Sequence, residues 1–218
     1  MHEFFGPPGN SNQYPPYQRT REMSLTDMLL ENRIIFLSGP IIERVANVVI
    51  QQLLYLQSIR RSQDVNLYIN SPGGLVDQTL AIYDTIQFMG CEVATYCIGQ
   101  AASGAAVILM AGTKGKRYIL PNAKVMLHQP YGGVTGQAED IRIQAEEVLR
   151  DKARLNAIIA RCTGKPIDQV AEETERDRFL NAQEALEYGI VDEILEEDTT
   201  KKKTGDKKKS GSETKKSS

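Results

Sequence analysis

Apolar positions along the chain switch repeatedly between two periods. From Ile41 to Leu56, residues Ile42, Val45, Val49, Leu53 and Leu56 recur every three or four positions, which predicts an amphipathic helix. Compact apolar runs lie on either side, and Arg33 to Leu37 (RIIFL) and Val65 to Ile69 read as strands. The pattern then repeats. A helix from about Asp77 to Phe88 leads to a strand at Cys91 to Ile98, and a second apolar helix covers Val107 to Ala111. Strands follow at Arg117 to Leu120 and Lys124 to Leu127, then a long helix from about Gln137 to Cys162 that Thr163-Gly164 stops. A short helix over Ser24 to Asn32 opens the series, and Gly189 to Asp192 with Ile194-Leu195 closes it as a last strand. Such alternation implies crossover units, and therefore an α/β fold with a largely parallel buried sheet and flanking helices. The long helix exceeds what one layer needs. Its apolar residues, from Ile141, Val148 and Leu149 to Ile158 and Ile159, suit a second subunit as well as its own core.

Composition changes this picture mainly at the ends. Residues 1–22 are rich in Pro, Asn, Gln and Gly and are expected to form a disordered arm or propeptide, and residues 199–218 a disordered lysine-rich tail. Between them, residues 23–198 hold one domain, for which 41% hydrophobic content supplies a core. The net charge of -2 hides a tail of +6 and a remainder of -8, so the body does not invite nucleic acid. Val93 to Thr113 carries no charge over 21 residues, the length of a membrane span, but Thr95, Gly99, Gln100 and Ser103 interrupt it. No signal peptide pattern opens the chain, and the expected location is cytoplasmic. Cys91, Cys97 and Cys162 form neither a CxxC pair nor a Cys/His cluster, so neither a zinc site nor a disulfide framework is indicated.

Candidate chemistry gathers at three turns. In Gly99-Gln100-Ala101-Ala102-Ser103-Gly104-Ala105-Ala106 a hydroxyl sits among small residues where strand passes into helix. Substrate backbone can approach there, and the helix N-terminus offers unpaired N–H donors, which makes Ser103 a candidate nucleophile. Serine is equally a favoured helix N-cap. His2 lies in the expected arm, so histidine chemistry falls on His128 of Met126-Leu127-His128-Gln129-Pro130, although a histidine after a strand also fits a structural role. Asn70-Ser71-Pro72-Gly73-Gly74 follows another strand, and loops at the carboxyl ends of parallel strands can share one cleft. Spacing does not single out a carboxylate partner.

The runs NSPGG (70–74), GQAAS (99–103), AGTKGKRYILPNAKVMLHQPYGG (111–133) and TERDRFL (174–180) closely resemble the ClpP family, from about Ser24 to Glu196. The resemblance implies a ClpP/crotonase-like fold of layered parallel sheets with flanking helices and a protruding helical handle at about 124–162. It implies a serine endopeptidase with Ser103 as nucleophile, His128 as general base and acid, Asp177 as orienting carboxylate, and the N–H groups of Gly74 and Gly104 as oxyanion hole. No cofactor or metal is called for. Two stacked heptamers form the implied chamber, with Glu175 and Arg176 at the contact between rings. The implied ATP consumer is a separate AAA+ unfoldase of the ClpX, ClpA or ClpC type, docking on apolar residues such as Tyr68, Phe88, Tyr96, Tyr118 and Leu195. The chain itself has no G-x-x-x-x-G-K-[ST] phosphate loop. Two alternatives are a non-catalytic ClpR-like ring subunit, against which all three triad positions are filled, and a crotonase-type acyl-CoA enzyme, which needs no such triad. One departure stands out: the family commonly reads Met-Gly-Ala after the nucleophile, whereas this chain has Gly104-Ala105-Ala106, which predicts a wider substrate pocket.

Overall fold

The computed structural model describes residues 23–130 and 135–196. The expected arm and lysine-rich tail lie outside the described residues, as do Tyr131 to Gly133 of the HQPYGG run. The described residues form α1 (Leu25–Glu31), β1 (Ile34–Ser38), α2 (Glu43–Ile59), β2 (Val65–Ser71), α3 (Val76–Phe88), β3 (Val93–Ala102) and α4 (Gly104–Met110). Next come β4 (Arg117–Ile119), β5 (Lys124–Leu127), α5 (Ala138–Thr163), α6 (Ile167–Glu173), β6 (Arg178–Asn181), α7 (Ala182–Tyr188) and β7 (Glu193–Ile194).

The seven strands build one sheet whose main path runs β1-β2-β3-β4-β7, with β5 pairing β3 and β6 pairing β5. Every pair is parallel except β5 with β6. The long strand β3 is the pivot, since residues 95–97 pair with β4 and residues 100–102 pair with β5. The sheet therefore branches at Cys97, and one branch carries the candidate site. Four rings stack across adjacent strands on one face, Phe36 to Tyr68 to Tyr96 to Tyr118, with centroids 5.4, 4.5 and 4.9 Å apart.

The uncharged stretch Val93 to Thr113 is accounted for by this centre. Its first half is β3, and its second half is α4, in which Ala105 through Met110 are all buried. A helix apolar all round belongs inside a core. Among the described residues, no helix is long and apolar enough to cross a membrane.

Two interior arginines hold the frame. The Arg33 guanidinium donates to the carbonyls of Leu56, Gln63 and Asp64, closing the C-terminal end of α2 (3.0, 2.8 and 2.8 Å). Arg117 grips Asp192 through Nε and Nη2 (2.9 and 2.6 Å) and donates through Nη1 to the Cys162 carbonyl (3.1 Å), tying β4, α5 and the approach to β7 together. Burial raises the Asp192 carboxyl, but this guanidinium and the amides of Arg117 and Gly115 outweigh it, and the group titrates below its usual range.

Four elements, β7, α6, β6 and α7, depart from the sequence reading. Gly189 is the left-handed cap of α7 rather than strand, and β7 is only Glu193–Ile194. The segment between α5 and Gly189 forms α6, β6 and α7, where no regular element was expected. These are short elements (Val170 is buried on α6, Leu180 on β6, and Ala182, Ala185 and Tyr188 on α7), so they leave no long periodic signal. The first half of α5 is exposed on all sides, with Ile141, Ile143 and Leu149 open on it.

Candidate active site

Ser103 occupies the N-cap position of α4, yet its side chain caps nothing. Its backbone sits at φ 56°, ψ -125°, a region that costs a non-glycine residue of order 1–3 kcal/mol and persists only where surroundings over-determine it. That conformation turns the hydroxyl away from the helix N–H groups and onto His128, whose Nε2 lies 2.8 Å from Oγ. His128 Nδ1 lies 3.1 Å from Asp177 Oδ1. With the ring proton on Nδ1 toward the carboxylate, Nε2 presents its lone pair to the Ser103 hydroxyl. Asp177 is the open end of this chain, its side chain 60% exposed against 13% for His128.

Sheet register explains the meeting. Ala102 pairs with Met126 at the ends of β3 and β5, and the Ser103 N–H donates to the Met126 carbonyl (2.8 Å). On the other side of β5, Leu127 pairs with Arg178 of antiparallel β6, so continuing that ladder by one residue sets His128 opposite Asp177. Three neighbouring strands thus deliver serine, histidine and aspartate to one end of the sheet.

The Gly73-Gly74 turn is pressed against the same place. A Cβ on Gly73 would lie 2.5 Å from the Ala102 carbonyl oxygen and 2.7 Å from Ser103 Cβ, and Gly73 also has φ +87°, so only glycine fits. A Cβ on Gly74 would strike the Ile41 backbone at 2.3 Å. Gly74 and Gly104 line a cavity of about 380 Å³ with Ser103 and His128. As the first residue of α4, Gly104 has no helical acceptor for its N–H, which leaves that donor for a ligand.

Around Asp177, the chain is anchored through Glu175 and by residues the sequence did not single out, Gln129 and Lys152 among them. The Gln129 amide N–H donates to the Thr174 carbonyl (2.7 Å) and its side chain to the Glu175 carbonyl (3.1 Å). Lys152 on α5 donates to Glu175 at 2.8 Å, and this hydrogen bond holds the Glu175 carboxyl below its usual range. Glu175 is therefore paired within the chain, while Arg176 stands exposed beside it. Burial pushes Glu173 up, but Arg178, Tyr188 and Gln169 beside it win, and its carboxyl titrates at about 2. Arg178 Nη1 lies 2.8 Å from Glu173 Oε2 without hydrogen-bond alignment, so this contact is an ion pair. Apart from Gln169 and Glu173, an i,i+4 pair on α6, these partners come from different elements, and no local motif announces them.

Thr79 is a further residue that spacing did not reveal. The sequence predicts open space where Gly104 replaces a larger side chain, but the structure fills it: a Cβ on Gly104 would lie 2.2 Å from Thr79 Oγ1.

Among the described residues, no group of three or more His, Cys, Asp or Glu could hold a metal ion. The arrangement is suited to nucleophilic acyl transfer, because a hydroxyl, an imidazole and backbone donors share one cleft and the Asp177 carboxylate meets the imidazole from outside it.

Comparison with known proteins agrees on the family. A family model described as Clp protease matches residues 17–198. The ATP-dependent Clp protease proteolytic subunit 1 of Rhodopirellula baltica is 57% identical over 186 residues, 85% of this chain and 82% of that protein. The ATP-dependent Clp protease proteolytic subunit 2 of Chlamydia muridarum is 49% identical over 187 residues, 86% of this chain and 91% of that protein. A match that spans every element from α1 to β7, at about half or more of the positions in both relatives, means that the chain belongs to the Clp protease family.

Proposed function

We propose that this chain is a serine endopeptidase that cuts unfolded polypeptides to short peptides as the proteolytic subunit of an ATP-dependent Clp protease. The observation that carries the reading is the continuous chain from Ser103 Oγ through His128 to Asp177, at 2.8 and 3.1 Å, on a serine that does not cap its own helix. As Ser103 Oγ attacks the peptide carbonyl, its proton passes to His128 Nε2 and the carbonyl oxygen becomes an anion facing the N–H groups of Gly74 and Gly104. The C–N bond then breaks, and His128 returns the proton to the leaving amine. Water, deprotonated by the same imidazole, releases the acid from the acyl-enzyme. Asp177 fixes the tautomer and stabilises the imidazolium. The steps use no metal or cofactor.

Both curated relatives are named as ATP-dependent proteolytic subunits. A subunit without a phosphate loop obtains that dependence from a partner, an AAA+ unfoldase of the ClpX, ClpA or ClpC type. The aromatic ladder, with exposed Phe88 and half-buried Leu195, offers the docking face. In the cytoplasm, two heptamers stack through the exposed half of α5 and through Arg176. Arg176→Ala is expected to yield single rings with little activity, and a fully active double ring in analytical ultracentrifugation would refute that contact. For the chemistry, a serine-directed fluorophosphonate should label Ser103, located by mass spectrometry. Absence of label there, with peptide hydrolysis intact, would overturn the reading.

A further inference from the structure

The cavity beside Ser103 extends from His128 into a lining of Val76, Val107, Leu155 and Ile159, and Thr79 is part of its wall. Thr79 is 1% exposed, so it stands at the floor rather than at the rim. Its hydroxyl donates to the Leu75 carbonyl one turn back in α3 (3.0 Å), so its donor is engaged within its own helix. That bond, with the branching at Cβ, fixes the rotamer. The side chain packs directly on the Gly104 Cα: a Cβ added there would lie 2.2 Å from Thr79 Oγ1 and 3.1 Å from its Cβ and Cγ2. With Thr79 in this rotamer, position 104 has no room for a side chain.

We propose that Thr79 sets the depth of the pocket that receives the substrate side chain on the acyl side of the scissile bond, with Gly104 as its interlocking partner. This rests on the reading of Ser103 as nucleophile, because the pocket's orientation is defined by the hydroxyl at its mouth. Thr79 then limits the substrate by size. It stops a large aromatic side chain before the floor, while medium aliphatic side chains of the Leu and Met type reach the apolar walls. Removing Oγ1 and Cγ2 deepens the pocket beneath Gly104. The change in length corresponds to about one methylene group, for which discrimination in an apolar pocket runs to roughly tenfold or more.

The test uses the full-length protein as assembled and a pair of fluorogenic peptides that differ only in Phe or Leu before the scissile bond. Thr79→Ala is expected to raise the Phe-to-Leu ratio of kcat/KM about tenfold, Thr79→Ser to raise it less, and isosteric Thr79→Val to leave the ratio within about twofold. Gly104→Ala should lose fluorophosphonate labelling of Ser103 through overlap with Thr79, and Thr79→Ala in the same chain should restore part of it. If Thr79→Ala does not fold, the Thr79→Ser ratio carries the test. An unchanged ratio in variants whose Ser103 still labels would overturn the proposal and leave the catalytic reading standing. A wild-type chain that cuts the peptides without label on Ser103 would overturn both.

Discussion

Two non-glycine residues among those described hold a positive φ, Arg33 at 61° and Ser103 at 56°, and they use it in opposite ways. Arg33 enters β1 from α1 and sends its side chain inward to the Leu56 carbonyl in the last turn of α2 and to the Gln63 and Asp64 carbonyls of the loop that follows. Strain there is offset locally, by groups the side chain itself satisfies. Ser103 leaves β3 for α4 and gives up the cap it could have made, so that its hydroxyl points at a histidine brought by another strand. Nothing in its own segment compensates; the sheet register and the glycine turn hold it. Strained backbone alone therefore does not mark a reactive site. Where the side chain is sent does.

The largest way to sharpen this contrast is Ser103→Ala, which should lower peptide turnover by about 10⁴-fold or more while the unfolding midpoint moves little. Retention of a tenth of wild-type turnover would break the contrast at its centre. Arg33→Ala should do the reverse. Loss of three charge-assisted bonds to α2 and the loop that follows it is expected to cost about 3 kcal/mol in denaturant unfolding, with turnover per folded chain, counted by fluorophosphonate titration, nearly unchanged. Gly73→Ala probes what holds Ser103 in place. With Ala102 O and Ser103 Cβ at 2.5 and 2.7 Å from the new methyl group, Ser103 must move, and turnover should fall about 100-fold in a chain that still folds.

A smaller effect separates the two regions by pH. Glu173 precedes the Asp177 segment and titrates at about 2 in the folded chain, against an ordinary 4.5. Its folded value is depressed, so its contribution is fully present above about pH 4.5 and is lost as pH falls through about 2. The Arg33 bonds run to neutral carbonyls and carry no such dependence. Stability measured between pH 5 and 2 should therefore fall less steeply in Glu173→Gln than in wild type, whereas Arg33→Ala should keep the wild-type slope.

Much of the fold was legible because it is periodic. The face of α2 from Val45 to Leu56, the strands from β1 to β5 and the glycine stop of α5 at Gly164 all follow from spacing. Region 165–188 was not, since α6, β6 and α7 are each a turn or two long, and β6 offers only Leu180 as a buried residue. The Asn181 and Glu184 capping box was the readable signal there. Missing β6 had a consequence for the site. Without an antiparallel strand beside β5, no spacing argument could choose Asp177 from the other carboxylates, and only resemblance pointed to it. The Ser103 cap could not be decided either, because side-chain preference favours a cap and the backbone angle that prevents it is set by tertiary contacts. Thr79 was invisible for a similar reason: it meets Gly104 across two helices, 25 positions apart in the chain.

The stacked rings of Phe36, Tyr68, Tyr96 and Tyr118 also give the molecule an optical signature. The chain contains nine tyrosines and no tryptophan, so its near-ultraviolet absorption and emission belong to phenol rings. Three of those rings stand in one column, the closest pair 4.5 Å apart and only 9° from parallel. Chromophores stacked this closely couple their transitions and produce circular dichroism that isolated tyrosines lack. Because the three phenol rings stand on β2, β3 and β4, that signal reports the alignment of three strands at once. A ligand laid over the column would alter it without any label being added.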